Sequence, residues 1–123
     1  MTKEQAITEF WNSFGIPAYE ENSIYSLNLK MPYITYELNT DSFGDSVNLS
    51  ASLWYKSYSW LEINKKAREI NESIGTSGKL LDSDDGRIWI KRGHPFESRM
   101  GDDTDDTVKR IQLNINIDFY TNY

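Results

Sequence analysis

Between residues 47 and 74 the hydrophobic period of the chain switches from two to about 3.6, and this switch constrains the fold more than any other stretch. Val47, Leu49, Ala51, Leu53 and Tyr55 alternate with Asn48, Ser50, Ser52 and Trp54, a pattern that requires a half-buried β-strand. Lys56, Ser57 and Tyr58 break the alternation. Trp60, Ile63, Ala67, Ile70 and Ile74 then recur at spacings of three and four, which lines one stripe of a helix with apolar side chains. The ends of that helix are written as well. Ser59 and Glu62 have the spacing of a capping box, and Gly75 stands where the chain must leave the helix with positive φ.

The flanking segments supply the partners such a unit needs. Residues 2–14 read as a first helix: Thr2 and Gln5 make a capping box, and Ile7, Phe10, Trp11 and Phe14 form a bulky stripe. Gly15 ends that helix and Pro17 forbids its return, so the stripe must dock on a sheet to be stable. Residues 18–30 stay open. Tyr19, Ile24, Tyr25, Leu27 and Leu29 suit a strand, but Glu20, Glu21, Asn22 and Ser23 interrupt them. Residues 33–40 alternate again, and the turn residues of 41–45, with Gly44 free to take positive φ, predict an antiparallel hairpin with residues 47–55.

Beyond the second helix, residues 75–78 form a Gly-Thr-Ser-Gly connector. Asp85-Gly86 predicts a tight turn that pairs residues 79–81 with 88–90 inside the strand 87–92. From 93 to 107 no period survives, which predicts a long acidic loop of the length that is usually functional or mobile. Ile111, Leu113, Ile115, Ile117 and Phe119 then alternate with Gln112, Asn114, Asn116, Asp118 and Tyr120, the signature of a central strand with one polar face. The expected architecture is α+β in the order α-β-β-α-β-β, a four-stranded mainly antiparallel sheet with two helices packed on one face.

At 123 residues the chain is one domain, 1–123, and its four Trp, eight Tyr and five Phe offer large burial per residue. It has no cysteine, so disulfides, thiol catalysis and thiolate-bound metals are excluded. The start reads Met1-Thr2-Lys3-Glu4-Gln5 without an apolar core, and no run reaches the ~18 apolar residues of a membrane span, so a soluble protein is expected. The net charge of −6 disfavours nucleic acid. Lys65, Lys66 and Arg68 read as the solvated face of a helix, and sequence-specific nucleic-acid binding is not expected.

Catalytic and metal-binding patterns are sparse. His94, followed by Pro95, is the single histidine, and zinc would have only carboxylates to join it. Asp82, Asp84, Asp85 and Gly86 fail the calcium-loop pattern, because the glycine falls one position early and Gly93 replaces the bidentate acid. The acidic run at 102–106 is a weak divalent-ion candidate or, more simply, a solvated and self-repelling loop. No serine lies in a Gly-x-Ser-x-Gly turn, and Gly75-Thr76-Ser77-Gly78-Lys79 follows a helix where a phosphate loop would open one. No enzyme and no cofactor are expected.

The order of elements carries a resemblance. A short helix leads to Pro32-Tyr33-Ile34-Thr35-Tyr36-Glu37; a Gly44-Asp45 turn precedes a strand ending in Leu53-Trp54-Tyr55. Then come a Ser-rich start, the helix pattern from Ile63 to Ile70, an acidic stretch and a final alternating strand. Across nearly the whole chain this pattern of residue types resembles the tail-completion (tail-terminator, head–tail joining) proteins of long-tailed bacteriophages and prophages. The resemblance implies a structural virion protein made in the bacterial host cytoplasm. It would form a ring, commonly a hexamer, that caps the head-proximal end of the tail tube, stops tube growth and meets the head connector. It implies no catalytic residues. By analogy Asp102, Asp103, Asp105 and Asp106 face the channel or tube, where negative charge would repel passing DNA; equally, that loop orders only against a neighbour. Trp54, Trp89, Asn114, Asn116 and Tyr120 suit the two unlike contacts of a cyclic ring. Two other classes fit the same residues. One is a small acidic immunity-type protein that neutralises a toxin by protein–protein binding. The other is a sheet that reads single-stranded RNA through Trp54, Tyr55 or Trp89. The plain alternative for those aromatics is a well-filled core.

Overall fold

The computed structural model describes residues 1–21, 29–38, 46–84, 86–101 and 105–121. Helix α1 spans Lys3–Trp11, and its capping box forms as the spacing requires. The Thr2 hydroxyl accepts from the Gln5 N–H at 3.1 Å, and the Gln5 side chain accepts from the Thr2 N–H at 2.8 Å. A 3₁₀ turn, Asn12–Phe14, follows and ends at Gly15 with φ 83°. The stripe is wholly buried: Phe10 meets Trp11 and Phe14 edge-on at 5.0 and 5.3 Å, and Trp11 stacks on Tyr36 at 6.1 Å.

Helix α2 spans Leu61–Ile74 and buries Ile63, Ala67, Ile70 and Ile74. Its start differs from the expected capping box. The Ser59 hydroxyl does accept the Leu61 N–H at 3.1 Å, but the Ser59 N–H goes to the Ser57 hydroxyl and not to Glu62. Trp60 occupies the cap position. Lys66 Nζ donates to the Phe14 carbonyl at 2.6 Å and so ties α2 to the end of the first helical segment. Gly75 ends α2 with φ 74°.

The strands are β1 Ala18–Glu20, β2 Tyr33–Tyr36, β3 Ser46–Lys56, β4 Lys79–Ser83, β5 Gly86–Gly101 and β6 Val108–Thr121. They form one six-stranded sheet in the order β1-β2-β3-β6-β5-β4. The expected four-stranded antiparallel sheet in the order α-β-β-α-β-β is therefore incorrect. The sheet is mixed, because β1 pairs in parallel with β2 while every other pair is antiparallel. Two short edge strands account for the difference. At three residues β1 is too brief to show an alternation, and β4 is a strand in its own right, pairing Lys79 to Ile90 and Leu81 to Ile88 as the hairpin reading requires.

The second correction concerns residues 93–107, which the lost period predicts as loop. Strand β5 continues through Gly101. Its register on β6 shifts between Arg92, opposite Ile115, and Glu97, opposite Leu113, so residues 93–96 face the single residue Asn114. Such a bulge resets the alternation, and Pro95 cannot donate to the ladder. Beyond it Glu97 and Arg99, opposite the buried Leu113 and Ile111, are charged and exposed, so no apolar period resumes although the pairing does.

The last strand fulfils its pattern. Strand β6 lies inside the sheet, between β3 and β5, with Ile111, Leu113, Ile115, Ile117 and Phe119 all buried. Both helical stripes pack against this face in one core with Ile34, Leu53, Ile88 and Ile90. Each fully buried aliphatic side chain there contributes about 1.5–3 kcal/mol. The open stretch at 22–28, the predicted turn at 41–45 and Asp85 lie outside the described residues.

Candidate functional site

Both helices lie on one side of the sheet, and the polar half of each alternating strand lies on the other. Opposed pairs run across it in rows: Tyr33–Trp54–Arg110, Thr35–Ser52–Gln112, and Asn48–Asn116–Lys91.

The first row is a closed stack. The Tyr33 ring lies 6.2 Å from Trp54, and the Arg110 guanidinium lies 4.8 Å from the same indole from the strand on the other side. Trp54 Nε1 donates to Thr35 Oγ1 at 2.9 Å, and Arg110 Nε donates to Ser52 Oγ at 3.0 Å. Burial raises the Tyr33 phenol above its ordinary pKa. Tyr33 and Arg110 thus both engage the Trp54 indole from within the sheet.

The middle of the face is a depression of about 610 Å³ lined by Glu37, Asn48, Ser50, Gln112, Asn114 and Asn116, with Gly93 and His94 along one wall. Glu37 is held in place just past the end of β2. Its N–H donates to the Ser50 carbonyl at 3.0 Å, and its carboxylate accepts the Ser50 N–H at 2.9 Å and the Ser50 hydroxyl. The carboxylate thus substitutes for the next backbone carbonyl of the ladder. On the opposite wall Asn114 Nδ2 donates to the Pro95 carbonyl at 2.9 Å and pins the bulge. Gly93 lies so flat on Asn114 that a Cβ there would sit 2.9 Å from the Asn114 carbonyl oxygen. His94 is exposed on the crest of the bulge. Beyond the crest a second depression, about 620 Å³, is lined by Thr76, Ser77, Trp89, Lys91, His94 and Phe96.

The cations near these depressions are engaged. Lys91 Nζ lies 2.8 Å from the Asp118 carboxylate and 4.6 Å from the Trp89 ring centroid. Donation from Lys91 and from the Ser46 hydroxyl holds the Asp118 carboxyl below its ordinary pKa. Arg92 Nη1 donates to Asn71 Oδ1 at 2.6 Å.

Like charges cluster on the sheet. Glu20, Glu21 and Glu37 gather where β2 ends; burial first, and then the Glu37 carboxylate, raise the Glu21 pKa against the opposing charge of Arg110. Lys56, Arg99 and Lys109 gather where β3 ends, with Arg99 and Lys109 lying 5.0 and 5.5 Å from the Trp60 ring centroid. Antiparallel pairing of β2 and β3 puts these groups at opposite ends of that pair.

The positions singled out in the sequence are thus dispersed. Asp102 and Asp103 lie outside the described residues. Asp105 is turned back on its own chain: its carboxylate accepts the Thr107 N–H at 2.9 Å and the Thr107 hydroxyl at 2.6 Å. Those bonds lower its pKa, with Lys56 and Lys109 adding to the effect. The Asp106 carbonyl accepts from Lys109 Nζ. Trp89 donates to the Ser77 carbonyl at 2.9 Å, Tyr120 is 49 % exposed, and Asn114 and Asn116 share the central depression. Sequence reasoning passes over Glu37, Asn48, Ser50 and Gln112, although the polar half of two alternating strands contains three of them. His94 has no legible place in the sequence, because the bulge that carries it erases the period.

Among the described residues no group of three or more His, Asp or Glu is arranged to hold a metal ion, and no helix is long and apolar enough to cross a membrane. No protein-family model and no curated protein matches the chain.

Proposed function

We propose that this protein is a structural subunit of a bacteriophage tail. It caps the head-proximal end of the tail tube as a homo-oligomeric, hexameric ring, stops tube growth and joins the tail to the head connector. In this role it resides in the virion at the tail–head junction, and its partners are the tube protein, the connector and its own copies. The observation that carries the reading is the clustering of like charge in two patches, one mainly acidic and one mainly basic. Glu20, Glu21 and Glu37 gather where β2 ends, with Arg110 in reach of Glu21, and Lys56, Arg99 and Lys109 gather beside Asp105 where β3 ends. A cyclic ring is built from heterologous contacts, in which each subunit offers two different, complementary patches. A sheet with a mainly basic patch and a mainly acidic patch meets that requirement. The pattern of residue types that resembles tail-completion proteins favours the same role, which needs neither a catalytic group nor a cofactor. The acidic stretch with Asp105 and Asp106 would then border the channel.

The test combines purified protein with assembled tail tubes, read by electron microscopy and by native mass in solution. Rings at one tube end and arrest of tube growth are expected. Reversing the anionic patch with Glu20→Lys and Glu21→Lys should abolish rings, and reversing the cationic patch in the same protein should restore them. A protein that stays monomeric and leaves tube growth unchanged would overturn the assembly role. Salt-sensitive capture of a single basic toxin would instead identify the immunity-type alternative.

A further inference from the structure

We propose that the paired depressions flanking His94 form a binding site for a neutral, polyhydroxylated ligand, an oligosaccharide, independent of the assembly role. The chemistry of the lining selects this class. Asn48, Gln112, Asn114 and Asn116 are carboxamides, each donor and acceptor at once, and Ser50 and His94 add groups of the same dual kind. Vicinal sugar hydroxyls need that pairing, because each hydroxyl both donates and accepts.

Anionic ligands fit poorly. Glu37 adds a carboxylate to the lining, while Lys91 is committed to Asp118 and Arg92 to Asn71. An apolar ligand fits no better in a depression walled by amides. The second depression adds the hydroxyl groups of Thr76 and Ser77 and the exposed parts of Trp89 and Phe96, the Trp89 ring carrying Lys91 on one side and Phe96 leaning on the core.

The walls are also pre-ordered, which lowers the entropy lost on binding. Asn114 is clamped to the Pro95 carbonyl, Glu37 to Ser50, and the Trp89 indole N–H to the Ser77 carbonyl. Each depression, about 610 and 620 Å³, falls in the size range of small-ligand sites, and the bulge at Gly93 and His94 joins them. A chain of several sugar units would lie across the bulge with its hydroxyls toward Asn116 and Asn48.

The test is a ¹H–¹⁵N NMR titration of the full chain with hexasaccharides of the gluco, manno, galacto and N-acetylglucosamine series, each to millimolar concentration. Oligogalacturonate serves as the anionic control. The expected result is saturable shifts of the Asn48, Gln112 and Asn116 side-chain amides with at least one neutral series. Asn48→Ala with Asn116→Ala, both solvent-facing, should weaken that binding about ten-fold while leaving the remaining spectrum unchanged. Absence of shifts with all four neutral series would overturn the proposal. So would equal or tighter binding of oligogalacturonate, or affinity unchanged in the double variant.

Discussion

At Gly78 the backbone leaves no room for any other residue. Its φ is +86°, and a Cβ would lie 2.3 Å from Trp89 Nε1 and 2.8 Å from the Ile90 carbonyl oxygen. Gly78→Ala should therefore destabilise the protein by about 2 kcal/mol or more, read as a lower midpoint in urea unfolding. Asp118 makes a pH-dependent contribution. Its folded-state pKa is depressed by Lys91 and Ser46, so the stabilisation is present above the unfolded carboxyl value and is lost as pH falls through the folded one. Asp118→Asn should be less stable than the parent at neutral pH. The two stability curves should converge as pH drops below the ordinary value of 3.8, which a pH series of thermal melts would show.

Among the elements, the two helices differ in where their stability resides. Helix α1 depends on its cap as well as its stripe, and Thr2→Ala should lower stability by about 1 kcal/mol. Helix α2 lacks a side-chain cap at Trp60, and its stability comes from burial, so Ile70→Ala should cost about 2–5 kcal/mol. Denaturant unfolding of both variants checks the ordering; a larger loss for Thr2→Ala would contradict it. Strand β5 joins two unlike halves. Before the bulge it carries Ile88 and Ile90 into the core, and after it Glu97 and Arg99 are exposed. That division explains why a strand of 16 residues reads in sequence as a short strand and a loop.

For the molecule as a whole, β6 is the axis of the fold. It is paired on both sides along most of its length, whereas β1 joins by three residues at an edge. The middle of β6 holds the fully buried Leu113, which lies opposite Ala51 on one side and Glu97 on the other. Native-state hydrogen exchange should therefore find the slowest amides between Gln112 and Ile117, and fast exchange in Ala18–Glu20. Comparable protection of β1 and β6 would contradict that ranking.

Local pattern alone determined the two helices with their apolar stripes, the first capping box, the strand faces of β3 and β6, and the short β4–β5 pairing. Each of these follows from side-chain periodicity or from a contact only a few residues away in the chain. Tertiary structure decided the rest. The parallel pairing of β1, the continuation of β5 through Gly101 and the assembly of Glu37, His94 and the carboxamides into one depression all depend on contacts between distant segments. A three-residue edge strand has too few positions to display a period. A bulge shifts the register, so the period fails although the hydrogen-bonded ladder goes on, and no local signal marks which polar residues will meet across the sheet.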